Sequence, residues 1–231
     1  MKIRADFHIH SKFSRATSKE MVPEKIAFWA KTKGINLVGT GDSTHPGWLD
    51  ILEGSLSEEA PGIYQMKSGE YPEVSFIVSS EISVIFSRQV RGEKKSYRQH
   101  IVVLLPSIES AKKVNQRLFW EGNLKSDGRP ILGIDCQDLI KLILSEEREA
   151  LIIPAHIWTP WFSLLGSRSG FDSLEECFAD LAPSIFAIES GLSSDPAMNW
   201  RIEELNNRSI VSFSDAHSPA KLGREATVLK I

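Results

Sequence analysis

Apolar residues along the chain follow two rhythms. Short runs rich in β-branched residues, at 3–9, 35–40, 74–79, 100–105, 151–154, 185–188, 210–214 and 227–231, read as strands. Apolar positions three and four apart predict helices at 23–33, 108–120, 137–147, 174–181 and 197–206. The first helix has Pro23 at its start and Gly34 just past its end, and places Ile26, Trp29 and Ala30 on one face. Strands alternate with helices through most of the chain, which predicts an α/β fold with largely parallel strands, as a barrel or an open sheet. The stretch 54–72 mixes Gly, Pro, Ser and Glu and reads as a loop insertion. So does 87–99, which is basic.

The polar residues that end these runs change the picture. In Asp6-Phe-His-Ile-His10 the extended backbone sends Asp6, His8 and His10 to one side and Phe7 and Ile9 to the other. Later runs end in Asp42, Glu81, His156, Glu189, and Asp215 with His217. In a parallel α/β barrel the carboxyl ends of all strands open on one rim, where active sites sit. Of only six histidines, five (His8, His10, His100, His156 and His217) lie on or beside such runs. Neutral imidazole mixed with carboxylate is the ligand set of zinc, manganese or iron. The donors exceed what one ion takes, so two or three divalent ions are expected. Asp6 is expected to orient an imidazole from behind, and Glu189 reads either as a similar support or as a structural ion pair. His100 begins its run instead of ending it; a hairpin of 82–86 with 100–105 would return it to the rim.

Composition adds bounds. The 231 residues fit one domain spanning 1–231, with 42% hydrophobic and 25% charged residues and a net charge of −3. That charge excludes a uniformly basic coat and leaves room for a local basic strip. The two cysteines, Cys136 and Cys177, are far apart in sequence and in no pair motif, which points away from a disulfide framework and towards a reducing cytoplasm. No apolar run has the length of a membrane span, and the N-terminus has no signal-peptide core. No feature calls for a protein partner.

The ordered set H-x-H, G-D, an isolated Glu, two further His and a final D-x-H resembles the PHP (polymerase and histidinol phosphatase) superfamily over essentially the whole chain. Longer strings, HIHSKFSRATSKEM, AFWAKTKGINLVGTGDSTHPGWL, SSEIS, ESGLSSDPAMNWR and SFSDAHSPAKLGREAT, look like its endonuclease Q branch. The resemblance implies a distorted (β/α)7 TIM-like barrel and a trinuclear site, with zinc first and manganese, magnesium or iron as alternatives. It implies hydrolysis of the DNA phosphodiester 5′ to a deaminated base (uracil, hypoxanthine or xanthine) or an abasic site.

Carried over, the family site has one ion on His8, His10 and Asp215 with Glu81 bridging. A second takes Asp42 and His217, and a third takes Glu81, His100 and His156. Asp42, His217 and Glu81 are the catalytic candidates. Two positions depart from the wider pattern: Arg15 stands where an acidic residue is common, and Asp42 where a His is common. Arg15 cannot ligate a metal but can grip a phosphate. His45 is expected to do the same. Arg88 and Arg91, in the basic stretch with Lys94, Lys95 and Arg98, are expected on the DNA backbone. Trp158 and Trp161, with Phe162, read as base-stacking groups or as an apolar lid. Family members continue into a cysteine-containing zinc module and a helical region, so the chain is expected to represent the catalytic barrel alone. A histidinol-phosphatase-type phosphoesterase and a weakly catalytic nucleic-acid-binding module are the alternatives.

Overall fold

A computed structural model describes residues 2–230. In chain order the elements are β1 (Lys2–Asp6), α1 (Pro23–Lys33), β2 (Leu37–Gly39), α2 (Pro46–Ser55), β3 (Leu56–Ala60), β4 (Ile63–Met66), β5 (Ser75–Val90), β6 (Glu93–Leu105) and α3 (Ile108–Leu118). There follow β7 (Ile131–Leu132), α4 (Cys136–Glu146), β8 (Leu151–Pro154), α5 (Leu174–Phe178), β9 (Ala187–Glu189), α6 (Pro196–Asn199), β10 (Ser209–Val211) and β11 (Thr227–Lys230). Nine strands form one mixed sheet: β1 and β2, and β2 and β5, run parallel, while β11 adds antiparallel to β1 and β6 to β5. β8 pairs antiparallel with β6, and β9 and β10 form a separate parallel pair.

The α/β class and most helices match their apolar spacing. α4 buries Cys136, Leu139, Ile140 and Ile143, and Asp135 caps its first turn by accepting from the Gln137 N–H. α1 buries Ile26, Ala27 and Ala30, leaving Trp29 at the edge of that face. The helices expected at 174–181 and 197–206 are each a short α-turn followed by 3₁₀ turns. Ile231, in the last expected strand, lies outside the described residues.

Three expectations are corrected. The stretch 87–99 is not a loop: it is the outer half of the β5–β6 hairpin, turned at Arg91 (φ +53°) and Gly92 (φ +86°) between the paired Val90 and Glu93. Two consecutive left-handed residues match the twist of a two-residue hairpin, and Gly92 adopts that conformation without steric cost. Phe86 stacks on Tyr97 and Tyr97 on Phe171, so the aromatic content of this basic segment packs as strand. The stretch 54–72 likewise contains the end of α2 and the β3–β4 hairpin. Finally, the sheet is mixed instead of largely parallel, with ladders of both senses among the described residues. The β9–β10 pair is tied to the rest by single links, such as the Ile157 N–H donating to the Glu189 carbonyl and the Ile9–Ala216 bridge.

The two cysteines, remote in sequence, meet where α4 packs on α5: their buried sulfurs lie 3.4 Å apart, unbonded. Among the described residues no helix is long and apolar enough to cross a membrane.

Candidate metal centre

β1 stops at Asp6, and the residues after it diverge from the simple alternation. Asp6 is buried and its two oxygens accept from the Ser214 and Gly223 N–H groups. It therefore fastens the 214–223 connection, and the expected role behind an imidazole falls to other carboxylates. His8 Nδ1 meets both oxygens of Glu189 at 3.1 and 2.9 Å. His10 Nδ1 lies 3.1 Å from Asp42 Oδ1. Each imidazole is thus held through Nδ1, which leaves Nε2 as the ligating nitrogen.

These Nε2 atoms converge on Glu81, which sits in the middle of β5 and is fully buried. His8 Nε2 is 3.3 Å from its Oε1 and His10 Nε2 is 3.4 Å from its Oε2. His100 Nδ1 and His156 Nε2 approach Oε1 at 2.8 and 3.3 Å. The long hairpin settles the position of His100: the antiparallel register pairs it with Ser83, two residues from Glu81 on the same face. Asp215 Oδ1 lies 3.1 Å from His10 Nε2 and 3.7 Å from His8 Nε2. Two sets emerge, His8–His10–Asp215 and Glu81–His100–His156, each with donor atoms within 4.8 Å of one another. His8 Nε2 and Glu81 Oε1 are buried and make no aligned hydrogen bond, although imidazole nitrogens stand 2.8–3.3 Å from that oxygen. Such orphaned atoms carry a high cost unless something else satisfies them, and the mixture of imidazole nitrogen and carboxylate oxygen fits a divalent cation.

The electrostatics agree with a tightly coupled cluster. Burial works against every charge here, but Glu189 and Glu81 still hold His8 well above the ordinary imidazole value. Glu81 is held well below the carboxylate range by His100 and His8 despite its burial. His100 is pushed down to about 4, chiefly by burial.

Asp42 does not sit in either donor set. Its Oδ2 accepts from the Ser11 N–H and hydroxyl, both at 2.6 Å, and from the Ser14 hydroxyl at 2.8 Å, while Oδ1 faces His10. Oδ2 is thus fully occupied by hydroxyl and backbone donors, and Oδ1 is the oxygen turned to His10. Asp42 and His217 both stand against His10, Asp42 at its Nδ1 and His217 beside its ring. His217 stands at the rim, its ring 4.4 Å from that of His10 and its Nδ1 3.0 Å from the Asp215 carbonyl. Glu189, by contrast, supports from behind: besides His8, it accepts from the His156 N–H at 2.8 Å.

The expected substrate contacts divide. Arg15 is 76% exposed at the side chain and reaches Asp127 Oδ2 at 3.2 Å, near the opening. His45 is only 8% exposed: it stacks on Phe13 at 4.1 Å and its Nε2 faces the Lys125 carbonyl. Arg88 is engaged within the fold. It forks onto Asp135 at 2.6 and 2.7 Å and donates to the Glu176 and Cys177 carbonyls, which ties β5 to α4 and α5. Arg91 lies exposed at the hairpin tip. Trp158 is anchored to Asn199, while Trp161 is half exposed under Arg98 and Phe162 packs on His100 at 4.6 Å.

The pattern along the chain gave no sign of the segment 125–130, a strap over the cluster. The Gly128 N–H donates to the Phe13 carbonyl at 3.1 Å and its own carbonyl accepts from the Thr44 hydroxyl at 3.1 Å. A Cβ at Gly128 would overlap Asp42 Oδ2 and stand 2.5 Å from Ser14 Oγ, so the strap can lie this close only with glycine there. Next to it, Arg129 Nη1 is 3.1 Å from Glu81 Oε2. A cavity of about 520 Å³, lined in part by Ser18, His217, Lys221 and Arg224, opens onto Asp215. Another cavity, about 590 Å³ between α2 and α3, touches none of the donors.

An α/β sheet that pools these imidazoles and carboxylates at one opening is the arrangement expected of the PHP superfamily. No family model matches the chain. The crystal structure of the lesion-specific endonuclease PfuEndoQ from Pyrococcus furiosus superposes with a TM-score of 0.84 at 32% identity, covering 99% of this chain and 52% of that one. Endonuclease Q in complex with a 27-mer duplex bearing an abasic lesion at its active site gives 0.83 at 32% identity, over 99% and 53%. Bacillus subtilis YqxK, an uncharacterised protein, is 31% identical over 245 residues, all of this chain and 59% of that one. The chain belongs with endonuclease Q within that superfamily, and spans a little over half the length of these relatives.

Proposed function

We propose that the chain is the catalytic part of a metal-dependent DNA-repair endonuclease, folded as one unit over 1–231 on a distorted (β/α)7 barrel plan. Its substrate would be duplex DNA with an abasic site or a deaminated base (uracil, hypoxanthine or xanthine), cut on the 5′ side of the lesion. The observation that carries this reading is the pair of buried donor sets meeting at Glu81, in a chain that superposes on an endonuclease Q bound to abasic-site DNA.

His8, His10 and Asp215 would hold one divalent ion and Glu81, His100 and His156 another, with zinc the first candidate and manganese, magnesium or iron the others. When bound, such ions neutralise the diester and make water a competent nucleophile at neutral pH. The remaining work belongs to the chain. Asp42 and Glu189 fix the tautomers of His10 and His8 by accepting from Nδ1–H, so both Nε2 lone pairs point inward. His217, at the rim and exposed by about a third, is the candidate to pass a proton to the departing 3′ oxygen. Arg15 offers a guanidinium to a flanking phosphate, and Trp161 a ring to an unstacked base.

The test is end-labelled duplex DNA carrying one deoxyuridine or one abasic site, incubated with the chain and zinc, manganese or magnesium. A single product ending 5′ to the lesion is expected, with undamaged DNA intact. Cleavage of a phosphomonoester but not of this DNA would overturn the reading in favour of a small-molecule phosphoesterase.

A further inference from the structure

Arg129 is a charged side chain held in the mouth of the cluster by a segment with no secondary structure. Its strap is fixed on several sides: Gly128 bonds Phe13 and Thr44, and the buried Asp127 accepts from the Arg129 N–H and the Arg15 N–H, both at 3.2 Å. The Arg129 side chain is 28% exposed, and Nη1 meets Glu81 Oε2 at 3.1 Å. That is the one hydrogen bond its guanidinium makes among the described residues, out of five N–H donors. A purely structural arginine at this depth usually spends several donors; Arg88, with two bonds to Asp135 and two to carbonyls, is the example within this chain. Arg129 instead keeps most of its fork free beside the donor sets, in an orientation Glu81 fixes.

We infer that Arg129 binds a non-bridging oxygen pair of the scissile phosphodiester, and so selects an anionic backbone at the cutting position; this rests on the nuclease reading above. A planar fork with free N–H groups matches two phosphate oxygens, and a point charge does not. Arg15, across Asp127 and far more exposed, takes the neighbouring phosphate. Glu81 is then shared between the ion sites and the residue that presents the phosphate to them.

The test compares two abasic-site duplexes, one with an ordinary diester and one with an uncharged methylphosphonate at the expected scissile linkage. Binding is read by fluorescence anisotropy in chelator, where nothing turns over. The unsubstituted chain is expected to prefer the diester by about tenfold, the size of one charge-assisted contact. Arg129→Met should bind both duplexes equally, and Arg129→Lys should keep less than a third of the preference. Equal discrimination by the unsubstituted chain and Arg129→Lys, or by it and a folded Arg129→Met, overturns the inference. If Arg129→Met fails to fold, Arg129→Lys alone decides. Cleavage by the unsubstituted chain is assayed alongside. Cleavage with unaltered discrimination in the variants refutes the Arg129 assignment only, whereas no binding and no cleavage with any metal refutes the nuclease reading as well.

Discussion

Replacing Gly128 by alanine tests whether the strap governs the metal centre. The added methyl would overlap Asp42 Oδ2 and lie 2.5 Å from both Asp42 Cγ and Ser14 Oγ. The strap cannot simply lift, because its backbone is bonded to Phe13 on one side and Thr44 on the other. Asp42 must yield instead, and it is held by Ser11, Ser14 and His10. Overpacking of this kind costs about 1–3 kcal/mol, and a weakened bond to a carboxylate adds about 1.5 kcal/mol. A total near 3 kcal/mol lowers the melting temperature by about 6–12 °C in a chain of this size. Turning Asp42 also frees His10 Nδ1, and loss of such support weakens metal binding by about 10–100-fold. Thermal melts in chelator read the first effect and competition with a zinc chromophore reads the second. Gly54 is the control: a Cβ there meets nothing within 4 Å, and Gly54→Ala in α2 should gain up to about 1 kcal/mol. If Gly128→Ala melts within a degree of the parent and binds zinc as tightly, the account of the strap is wrong.

Glu189→Gln removes the carboxylate that orients His8; zinc affinity should fall about tenfold or more with the circular dichroism spectrum unchanged. Chelation of the metal-loaded protein should lower its melting temperature, since a ligand at about a hundred times its dissociation constant stabilises by about 2.7 kcal/mol; a chelator-insensitive melt counts against a metal centre. Arg88→Met leaves Asp135 partly buried and unpaired and should cost about 3 kcal/mol at pH 7 in a denaturant titration. Burial alone would raise the Asp135 carboxyl, but Arg88 holds it below its ordinary value of 3.8. Its stabilising contribution is therefore complete above that value and lost as pH falls through the lower folded one, so the variant should show a flatter acid limb. Cys136 and Cys177, buried and with the Cys177 thiol pushed well up chiefly by burial, should resist alkylation in the native protein and react on unfolding.

The ordered donors, the alternation of strands and helices, and the capped helices were legible along the chain because each depends on spacing within a few residues. Apolar periodicity fixes which face of α1 or α4 is buried, and the i, i+2 spacing of His8 and His10 delivers two imidazoles just past the end of β1. The basic content of 87–99 concealed a hairpin, since charged side chains on the open face of two strands look the same in sequence as those on a loop. Whether a carboxylate ligates or orients was undecidable from the chain. Asp42 follows β2 and Glu189 ends β9, and only in the folded chain do they meet the Nδ1 atoms of His10 and His8. Asp6, in the opening motif itself, turned out to bind backbone more than two hundred residues away. Arg129 carries no local signal at all, because its place is set by Gly128 lying against Asp42 and by Glu81 on a distant strand. The sequence by itself determined which donor chemistry the chain carries, since that depends on residue type and short-range order. The tertiary structure alone decided which nitrogen, oxygen or guanidinium faces the centre, because hydrogen bonds between remote segments select that orientation.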